Sequence, residues 1–482
     1  MRIFSSILSF VAVISFVFPT FGQTTDQWQL EANTEKELVV TPALLDNANP
    51  NHVLYNSFAE KDSHNAATYY YRAALRWAAL PKTHRAKLFE KRATWLEGPV
   101  SELPAEEVQL WLASTKPVLK ELNKAFTGDC DWGLADNRKL TYREEFSLDL
   151  WPEKAVFYEF GIILNLSARL HLARGEFDQA VSMLTNSITF SQHVRKLPGD
   201  TTFMSYTIFA DVLRSVDEAS TLPESPNLFS ALQAIPPSFE SFRPWVESEF
   251  LKIKRSFRFL DDPENADLSD EQWRVAFLEA LEMHDIFYGV QNSDGRYREQ
   301  DLAATRSQRL GVLFAKLYPT AKVELLKAGW AREKLDSMPV GQVIAIQSRR
   351  LWDQHNVLFR GFQNLPGPDA NVRALKMEES DFLFGRILGA FPCEIMGTNM
   401  SGLIGREGQT VAVCSNIQLL RDWLAKHGTF PDRDEFLKLK TPADPASGKP
   451  FEYRLLKNGD AQFQTPPDSD GWVYYRITLK MK

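Results

Sequence analysis

The eight histidines of this chain are the side chains best suited to acid–base or metal chemistry, and they are scattered along the sequence. They are His52, His64, His84, His171, His193, His284, His355 and His427. None lies in an HExxH motif or accompanies a serine in a GxSxG turn. His171 and His193 fall on adjacent predicted helices, where they could approach each other or share a ligand. Packing or a surface position is the favoured interpretation for isolated histidines.

Adjacent carboxylates occur at Glu106-Glu107, Glu144-Glu145 and Glu378-Glu379. Catalysis by two carboxyl groups requires that both face one bond, whereas neighbouring residues on a helix point in different directions. We therefore expect these pairs on solvated faces. The three tyrosines at 69–71, with Trp77, have enough aromatic area to stack on a sugar. They also fit a helical apolar stripe, which favours burial in the core.

The one compact cluster of polar and reactive residues is Asp129, Cys130, Asp131 and Trp132. An exposed Cys130 beside a base would be a nucleophile, but two flanking carboxylates would raise the pKa of its thiol. A helix-ending turn with Cys130 and Trp132 in the core is the favoured interpretation. The chain has three cysteines and no spacing typical of zinc. A disulfide between Cys393 and Cys414 and three buried thiols are both open.

Two further ligand motifs fail on their spacing. Asp468, Asp470 and Gly471 resemble the start of a calcium loop, but an EF-hand needs an oxygen ligand where Trp472 stands and a glutamate where Leu479 stands. A β-turn is the better assignment. The GLIGREG segment lacks the spacing and the Lys-Ser/Thr ending of phosphate-binding loops. The sequence therefore predicts no catalytic, cofactor-binding or metal-binding residue, and no cofactor.

The N-terminus predicts export. Arg2 precedes an apolar run, Ile3 to Phe18, which Pro19 and small residues follow. This order is typical of a signal peptide, residues 1–22, cleaved before Gln23. The run is shorter than the roughly 20 apolar residues of a membrane-spanning helix, and no second such run follows. An uncleaved anchor that also holds the protein outside is the alternative. A net charge of −7 without basic blocks argues against nucleic acid or an anionic membrane surface as partner.

The rest of the chain divides into four parts. They are an extended, exposed lead-in (23–56), a helical domain (57–236), a second helical block (237–412) and a C-terminal module (413–482). In the helical domain, apolar periodicity predicts a helix from Ser63, then Ala86–Leu96, Ala105–Phe126 with a kink at Pro117, and Glu153–Arg174. Gly175 ends the last of these as a C-cap would, and another helix follows, so residues 153–195 form a helical hairpin.

The second block is also predicted to be helical. Its helices are Ser269–Tyr288, Ala303–Leu317, Ala321–Leu335 and Val340–Phe362. Ser269 and Gln272 would form a capping box for the first of them. The crowded glycines from Gly389 to Gly408 fit either close helix packing or a loop.

The C-terminal module carries the clear β signal. A helix, Asn416–His427, precedes strands Phe451–Leu456 and Ala461–Thr465 on either side of Asn458-Gly459, a strong hairpin signal. Trp472–Leu479 would be a third strand. The predicted fold class is mainly α: an irregular helical bundle or solenoid, with a small C-terminal helix and antiparallel β-hairpin module.

The helical hairpin resembles a single tetratricopeptide unit of about 34 residues. The matching residues are Ala168, Leu172, Gly175, Phe177, Ala180 and Leu184. Ser187 stands where that family usually has a small apolar residue, and no proline closes the second helix. The resemblance implies one tetratricopeptide-like hairpin within an irregular helical domain.

Three blocks together resemble the large uncharacterised exported proteins of planctomycete-type bacteria. They are Leu110–Leu134, the helical hairpin followed by Ser225–Pro236, and Leu419–Arg454. The helix, GTFP turn and DPxSGxPFxY segment of the third block also look like the C-terminal half of a major pseudopilin. The chain lacks that family's N-terminal cleavage motif and long assembly helix. These resemblances imply an exported helical protein with a small β-bearing tail and no assigned activity.

These patterns favour an exported, non-enzymatic helical scaffold that binds another protein or an envelope component between its helices. A secreted hydrolase whose site is assembled from distant residues is the first alternative, and a structural envelope protein is the second.

Overall fold

The structure is a computed structural model that describes residues 33–45, 52–55, 62–133, 151–197, 202–235, 255–287, 299–362, 401–445, 447–466 and 474–482. The described chain is mainly helical and carries a small strand module at its C-terminus, which confirms the predicted fold class. The predicted signal peptide, residues 1–22, lies outside the described residues. Among these residues, no helix is both long and apolar enough to cross a membrane.

The elements up to residue 235 are β1 (Asn33–Val40), β2 (Asp62–Asn65), α1 (Ala66–Ala78), α2 (Lys82–Glu90), a π-helical turn (Ala93–Glu97), a 3-10 turn (Val100–Glu102), α3 (Ala105–Ala125), β3 (Gly128–Asp129), α4 (Trp151–Ala173), α5 (Phe177–Val194), α6 (Thr202–Ala219) and α7 (Phe229–Gln233). The start predicted for the first helix is wrong, because Ser63 lies in β2, which pairs with β3. Asn65 is the N-cap, and its side chain accepts a hydrogen bond from Ala67 N at 3.0 Å. α3 continues through Pro117.

The predicted helical hairpin consists of α4 and α5. Gly175 joins them with φ +71°, a conformation that residues with a Cβ rarely adopt. α6 then returns alongside α4, so these two helices run parallel. Their close approach depends on Gly161, where an added Cβ would lie 2.5 Å from Ile208 Cγ1. Ser215 Oγ donates a 2.9 Å hydrogen bond to Asn165 Oδ1 within the same buried interface.

The second block comprises a 3-10 turn (Arg258–Leu260), α8 (Asp270–Phe287), α9 (Glu299–Lys327), α10 (Arg332–Ser337) and α11 (Val340–Phe362). The predicted capping box is present, since Ser269 N donates to Gln272 Oε1 at 2.8 Å and Gln272 N donates to Ser269 Oγ at 3.4 Å. The predicted break between Leu317 and Ala321 is wrong. α9 continues through Pro319, with Leu317 and Ala321 buried on either side, so core packing offsets the missing hydrogen bond.

The C-terminal elements are α12 (Ser401–His427), α13 (Arg433–Lys438), β4 (Glu452–Leu455), β5 (Ala461–Gln464) and β6 (Tyr474–Met481). α12 begins 15 residues before the helix predicted at Asn416, and the boundary expected at residue 412 falls inside it. From Ser401 onward the glycine-rich segment is therefore helical, whereas Gly389 lies outside the described residues. Gly408 faces Pro445, whose Cγ would lie 3.2 Å from an added Cβ.

The predicted β-hairpin and third strand form a four-stranded sheet with order β1-β6-β5-β4. The exposed lead-in expected for residues 23–56 is wrong for its described part, because β1 pairs in parallel with the whole of β6. Leu38 and Val40 are buried against α12 in the core of the sheet. On the outer face, Lys480 Nζ lies 2.6 Å from Glu37 Oε2. The two ends of the described chain thus share one sheet.

A polar network, which we call the terminal junction, ties this sheet to the helical domain. Arg421 of α12 is fully buried and donates to Thr41 O (2.8 Å), Ser225 O (3.0 Å) and Pro226 O (3.1 Å). Gln418 Oε1 accepts a further bond from Arg421 Nη1 at 2.8 Å. Burial lowers the pKa of Arg421 to about 10, so the guanidinium remains charged at neutral pH. Neutral oxygens from two distant segments and from the same helix therefore solvate one cation.

Charged and thiol side chains extend the terminal junction. Lys36 of β1 lies 2.8 Å from Asp217 Oδ2 of α6, and Cys414 Sγ donates to Asp217 Oδ1 at 3.0 Å. Cys414 is a free, buried thiol, whose pKa is raised chiefly by burial and next by Asp217. Its proposed partner Cys393 lies outside the described residues. Arg195 and Glu407, both buried, form a second link between the helical hairpin and α12, at 3.0 Å.

Candidate functional site

The six histidine side chains that the structure describes do not converge on a common site, and the side chains of His284 and His355 lie outside the described part. His171 lies at the turn end of the helical hairpin and His193 at the opposite end, separated along α5 by about 24 Å. The expectation that they could approach each other or share a ligand is therefore wrong, because an antiparallel hairpin pairs residues equally distant from its turn. The contacts are His52 with Asp178, His64 with the Lys124 carbonyl, His84 with Trp111, His171 with Glu176, His193 with Tyr70, and His427 with Trp423.

The cysteine cluster is part of an aromatic core. Cys130 and Trp132 are buried, as the favoured interpretation predicted. Trp132 stacks on Tyr70 with ring centroids 5.3 Å apart and donates through Nε1 to His193 O at 2.9 Å. The Tyr70 hydroxyl lies 2.7 Å from His193 Nδ1, and burial raises the pKa of this phenol. A buried, solvent-excluded pair of this kind positions helices and gives no substrate access.

The remaining candidates that are described are structural. Tyr70 and Trp77 are buried, which confirms the core assignment of the aromatic stripe. Glu106 is exposed, and Glu107 pairs with Lys87 at 2.9 Å on a partly solvated face, as expected. Several other candidates lie outside the described residues: Glu144, Glu145, Glu378, Glu379, Cys393, Asp468, Asp470, Gly471 and Trp472.

An open groove in the second block is the candidate site that sequence reasoning missed. It has a volume of about 560 Å³, within the range of protein binding pockets. Its lining residues are Asp270, Arg274, Ser307, Leu310, Gly311, Phe314, Ala315, Tyr318, Pro319, Val340 and Gly341. Seven of these come from one helix, so we call it the α9 groove. The lining is mainly apolar, with its charged groups confined to α8.

The α9 residues of the groove form two parallel rows with a spacing of four. Leu310, Phe314 and Tyr318 make a row of large side chains that are buried or half-buried. Ser307, Gly311, Ala315 and Pro319 make a row of small, exposed residues beside it. At 1.5 Å per residue, residues 307–319 span about 18 Å, or more than three helical turns. α9 thus packs its large row against the core of the second block and leaves the small row beside it as a shallow surface channel, into which the side chains of another helix can pack.

Space is left open at Gly311 and closed off at Gly341. An added Cβ at Gly311 would meet no atom within 4 Å, whereas one at Gly341 would lie 2.5 Å from Trp273 Cβ. The start of α11 is therefore pressed against α8, and together they form the end wall of the α9 groove. This arrangement leaves the small row of α9 uncovered by the described chain.

The charged rim of the α9 groove is unbalanced. Arg274 donates two hydrogen bonds of 2.7 Å to the carboxylate of Glu271, which compensates its charge. Asp270, one turn before Arg274, is exposed and makes no ion pair within the described residues. Pro319 has no N–H, so the Ala315 carbonyl lacks its usual helical hydrogen bond. The rim therefore offers a carboxylate and a backbone acceptor to an incoming donor.

A signal for the α9 groove exists in the sequence, although it is weak. Small residues recur at 307, 311, 315 and 319, four apart, next to the apolar positions 310, 314 and 318. The break predicted between Leu317 and Ala321 hid this pattern, because it divided the row between two helices. Only the packing of α8 and α11 shows that the row remains uncovered.

Comparison with known proteins gives no match: no family model, no curated protein and no solved structure corresponds to this chain.

Proposed function

We propose that this protein is an exported, non-enzymatic helical scaffold of the cell envelope that binds another protein. The observation that carries the proposal is the α9 groove, an open, mainly apolar concavity along one helix of a largely helical chain. Apolar clefts between helices are common binding surfaces. The N-terminal apolar run supports export, and the charge pattern supports a protein partner over nucleic acid.

The chemistry of the described side chains supports binding more than turnover. Cys130, Cys414 and the Tyr70–His193 pair are buried in packing contacts. Within the described residues, no group of three His, Cys, Asp or Glu side chains is arranged to hold a metal ion. The α9 groove brings Asp270 and Arg274 together, and Arg274 is engaged by Glu271. These groups can orient a ligand, and none is placed as a nucleophile beside a base.

Export is tested by fusing residues 1–32 to a reporter enzyme that is active only outside the cytoplasm. We expect activity from the native segment and loss of activity when Leu8→Arg and Val11→Arg interrupt the apolar run. Thr24→Arg, beyond the run, is the matched control and should leave activity unchanged. Reporter activity that survives the double substitution would contradict an export signal.

Binding is tested by chemical cross-linking of the full-length protein in its native envelope, followed by identification of the linked proteins. Gly311→Trp should fill the α9 groove and remove a linked partner, while Val312→Trp on the neighbouring exposed face should retain it. A panel of polysaccharide and peptide substrates tests the hydrolase alternative in parallel. Turnover of any substrate without a cross-linked partner would overturn the proposal.

A further inference from the structure

We infer that the α9 groove receives an amphipathic α-helix of a partner protein, with a row of large apolar side chains four residues apart and a flanking Lys or Arg. This inference rests on the proposed binding function and specifies the partner's chemistry. It is drawn from three features of the groove: its shape, its composition and the charge of its rim.

The shape favours a helix as the occupant. Two parallel rows of opposite size, Leu310-Phe314-Tyr318 and Ser307-Gly311-Ala315-Pro319, follow the i, i+4 ridge of α9 over about 18 Å. A ridge of large side chains on a second helix would lie in the channel above the small row. Gly311 and Ala315 allow close approach of the two backbones. About 12 residues of partner helix would cover this length.

The openness of the groove argues against a lipid chain or another small apolar ligand. The small-row residues Gly311, Ala315 and Pro319 are all exposed, so no described segment covers the concavity. An acyl chain lying there would keep much of its surface in water and lose most of the benefit of burial. A helix brings its own polar outer face, which would remain in contact with solvent while its apolar row is buried.

Charge complementarity selects a basic flank on the partner. Arg274 is compensated by Glu271, which leaves Asp270 as the charged lining residue that has no ion pair among the described residues. A Lys or Arg next to the apolar row could pair with Asp270. Such a pair at a solvated rim contributes more to orientation and specificity than to affinity, and it weakens with salt.

The probe is a fluorescent, N-acetylated and C-amidated 14-residue helical peptide with leucine at every fourth position and lysine at both ends. A peptide of the same composition with the leucines redistributed around the helix is the first control. A second replaces the lysines with glutamate. Fluorescence anisotropy with the full-length protein should show binding of the first peptide, at least about tenfold weaker binding of the redistributed one, and weaker binding of the acidic one.

Matched variants locate the site. Gly311→Leu should weaken binding at least about tenfold, a change of about 1.4 kcal/mol, whereas Val312→Leu should alter it less than about twofold. Asp270→Lys should reverse the preference from the lysine to the glutamate peptide, and Asp267→Lys, on the exposed approach to α8, should not. Thermal unfolding of each variant confirms that it is folded.

Three outcomes would overturn the inference: no peptide binds, the redistributed peptide binds equally well, or Gly311→Leu leaves binding unchanged. A dimer in sedimentation that Gly311→Leu abolishes would replace the partner helix with a second copy of this chain. If peptide binding fails while the envelope cross-link persists, the scaffold function stands and only the helix assignment falls. If peptides bind but the envelope yields no cross-linked protein, the groove is a helix receptor and the envelope role falls.

Discussion

The terminal junction and the second block hold their elements together with different proportions of polar and apolar contacts. The terminal junction surrounds the buried Arg421 with oxygens from segments far apart in sequence, and it includes the buried Arg195–Glu407 pair. The described part of the second block is held mainly by an apolar cluster that includes Trp273, Phe277 and Trp352, and no described segment covers the small row of α9. Hydrogen bonds and ion pairs are directional and restrict which segments can pack together, whereas apolar contacts are non-directional and accept a wider range of partners. The difference is consistent with the proposed role, in which the α9 groove binds a partner.

The largest expected loss of stability follows from removing the buried guanidinium of Arg421 in the terminal junction. Arg421→Met should lower the free energy of unfolding by about 3 to 5 kcal/mol, because it leaves the Thr41, Ser225 and Pro226 oxygens buried without donors. Urea unfolding monitored by tryptophan fluorescence measures the loss. Arg454→Met, on the outer face of the sheet, should change stability by no more than about 0.5 kcal/mol. Equal losses in both variants would show that the terminal junction has no special role.

The next effect distinguishes two close helix contacts, one in the second block and one in the helical domain to which the terminal junction is attached. Gly341→Ala should destabilise by about 2 kcal/mol, because the new methyl group would lie 2.5 Å from Trp273 Cβ, next to the backbone. Gly161→Ala should lower the free energy of unfolding by less, since the new methyl group would contact the Ile208 side chain, which can rotate. Thermal unfolding ranks the two variants. The reverse order would mean that the end wall of the α9 groove yields more easily than the α4–α6 interface.

A smaller effect concerns the pH dependence of the helical domain. Burial raises the pKa of Asp211 in α6, despite attraction to Arg214, Arg92 and Arg169. A carboxyl with a raised folded pKa stabilises the fold below its unfolded pKa, and this contribution is lost as pH rises through the folded pKa. Asp211→Asn should therefore raise the free energy of unfolding by roughly 1 kcal/mol at pH 7 to 8 relative to the parent protein, and by less at pH 4. Chemical denaturation across this pH range, with Asp267→Asn as the exposed control, tests the sign. If the variant is instead less stable than the parent protein at neutral pH, by an amount that decreases at pH 4, then attraction to the arginines outweighs the cost of burying the carboxylate.

The smallest expected effect is an increase in stability from a substitution in the α9 groove. Gly311→Ala should stabilise the protein by about 0.5 to 1 kcal/mol, since alanine is the better helix former and its methyl group meets no atom within 4 Å. Differential scanning calorimetry would record a small rise in melting temperature. Destabilisation instead would indicate that part of the protein already occupies the channel beside Gly311.

Local patterns predicted most of the helices and the hairpin, and long-range packing accounts for the misses. Val340–Phe362 has the predicted bounds because its apolar stripe is periodic and continuous. Asn458-Gly459 is a local turn signal, and it predicted the positions of β4 and β5 on either side of it. β1 was missed because Glu35, Lys36 and Glu37 interrupt its apolar pattern and its partner strand is distant in the chain. The α9 groove was missed because it is defined by the absence of a neighbour, which periodicity within one helix does not reveal.

The pairing of β1 with β6 sets an order of events for a newly made chain. Glu35 and its partner Arg476 are 441 residues apart, so at 5 to 20 residues per second roughly 20 to 90 s of synthesis separate them. The first strand must wait as an unpaired segment while every helix between them emerges. Alternating acidic and basic side chains keep such a waiting strand from joining the wrong neighbour. The β1–β6 pairing can therefore form only after β6 has been made, and a chain cut short before Tyr474 would leave β1 without its parallel partner.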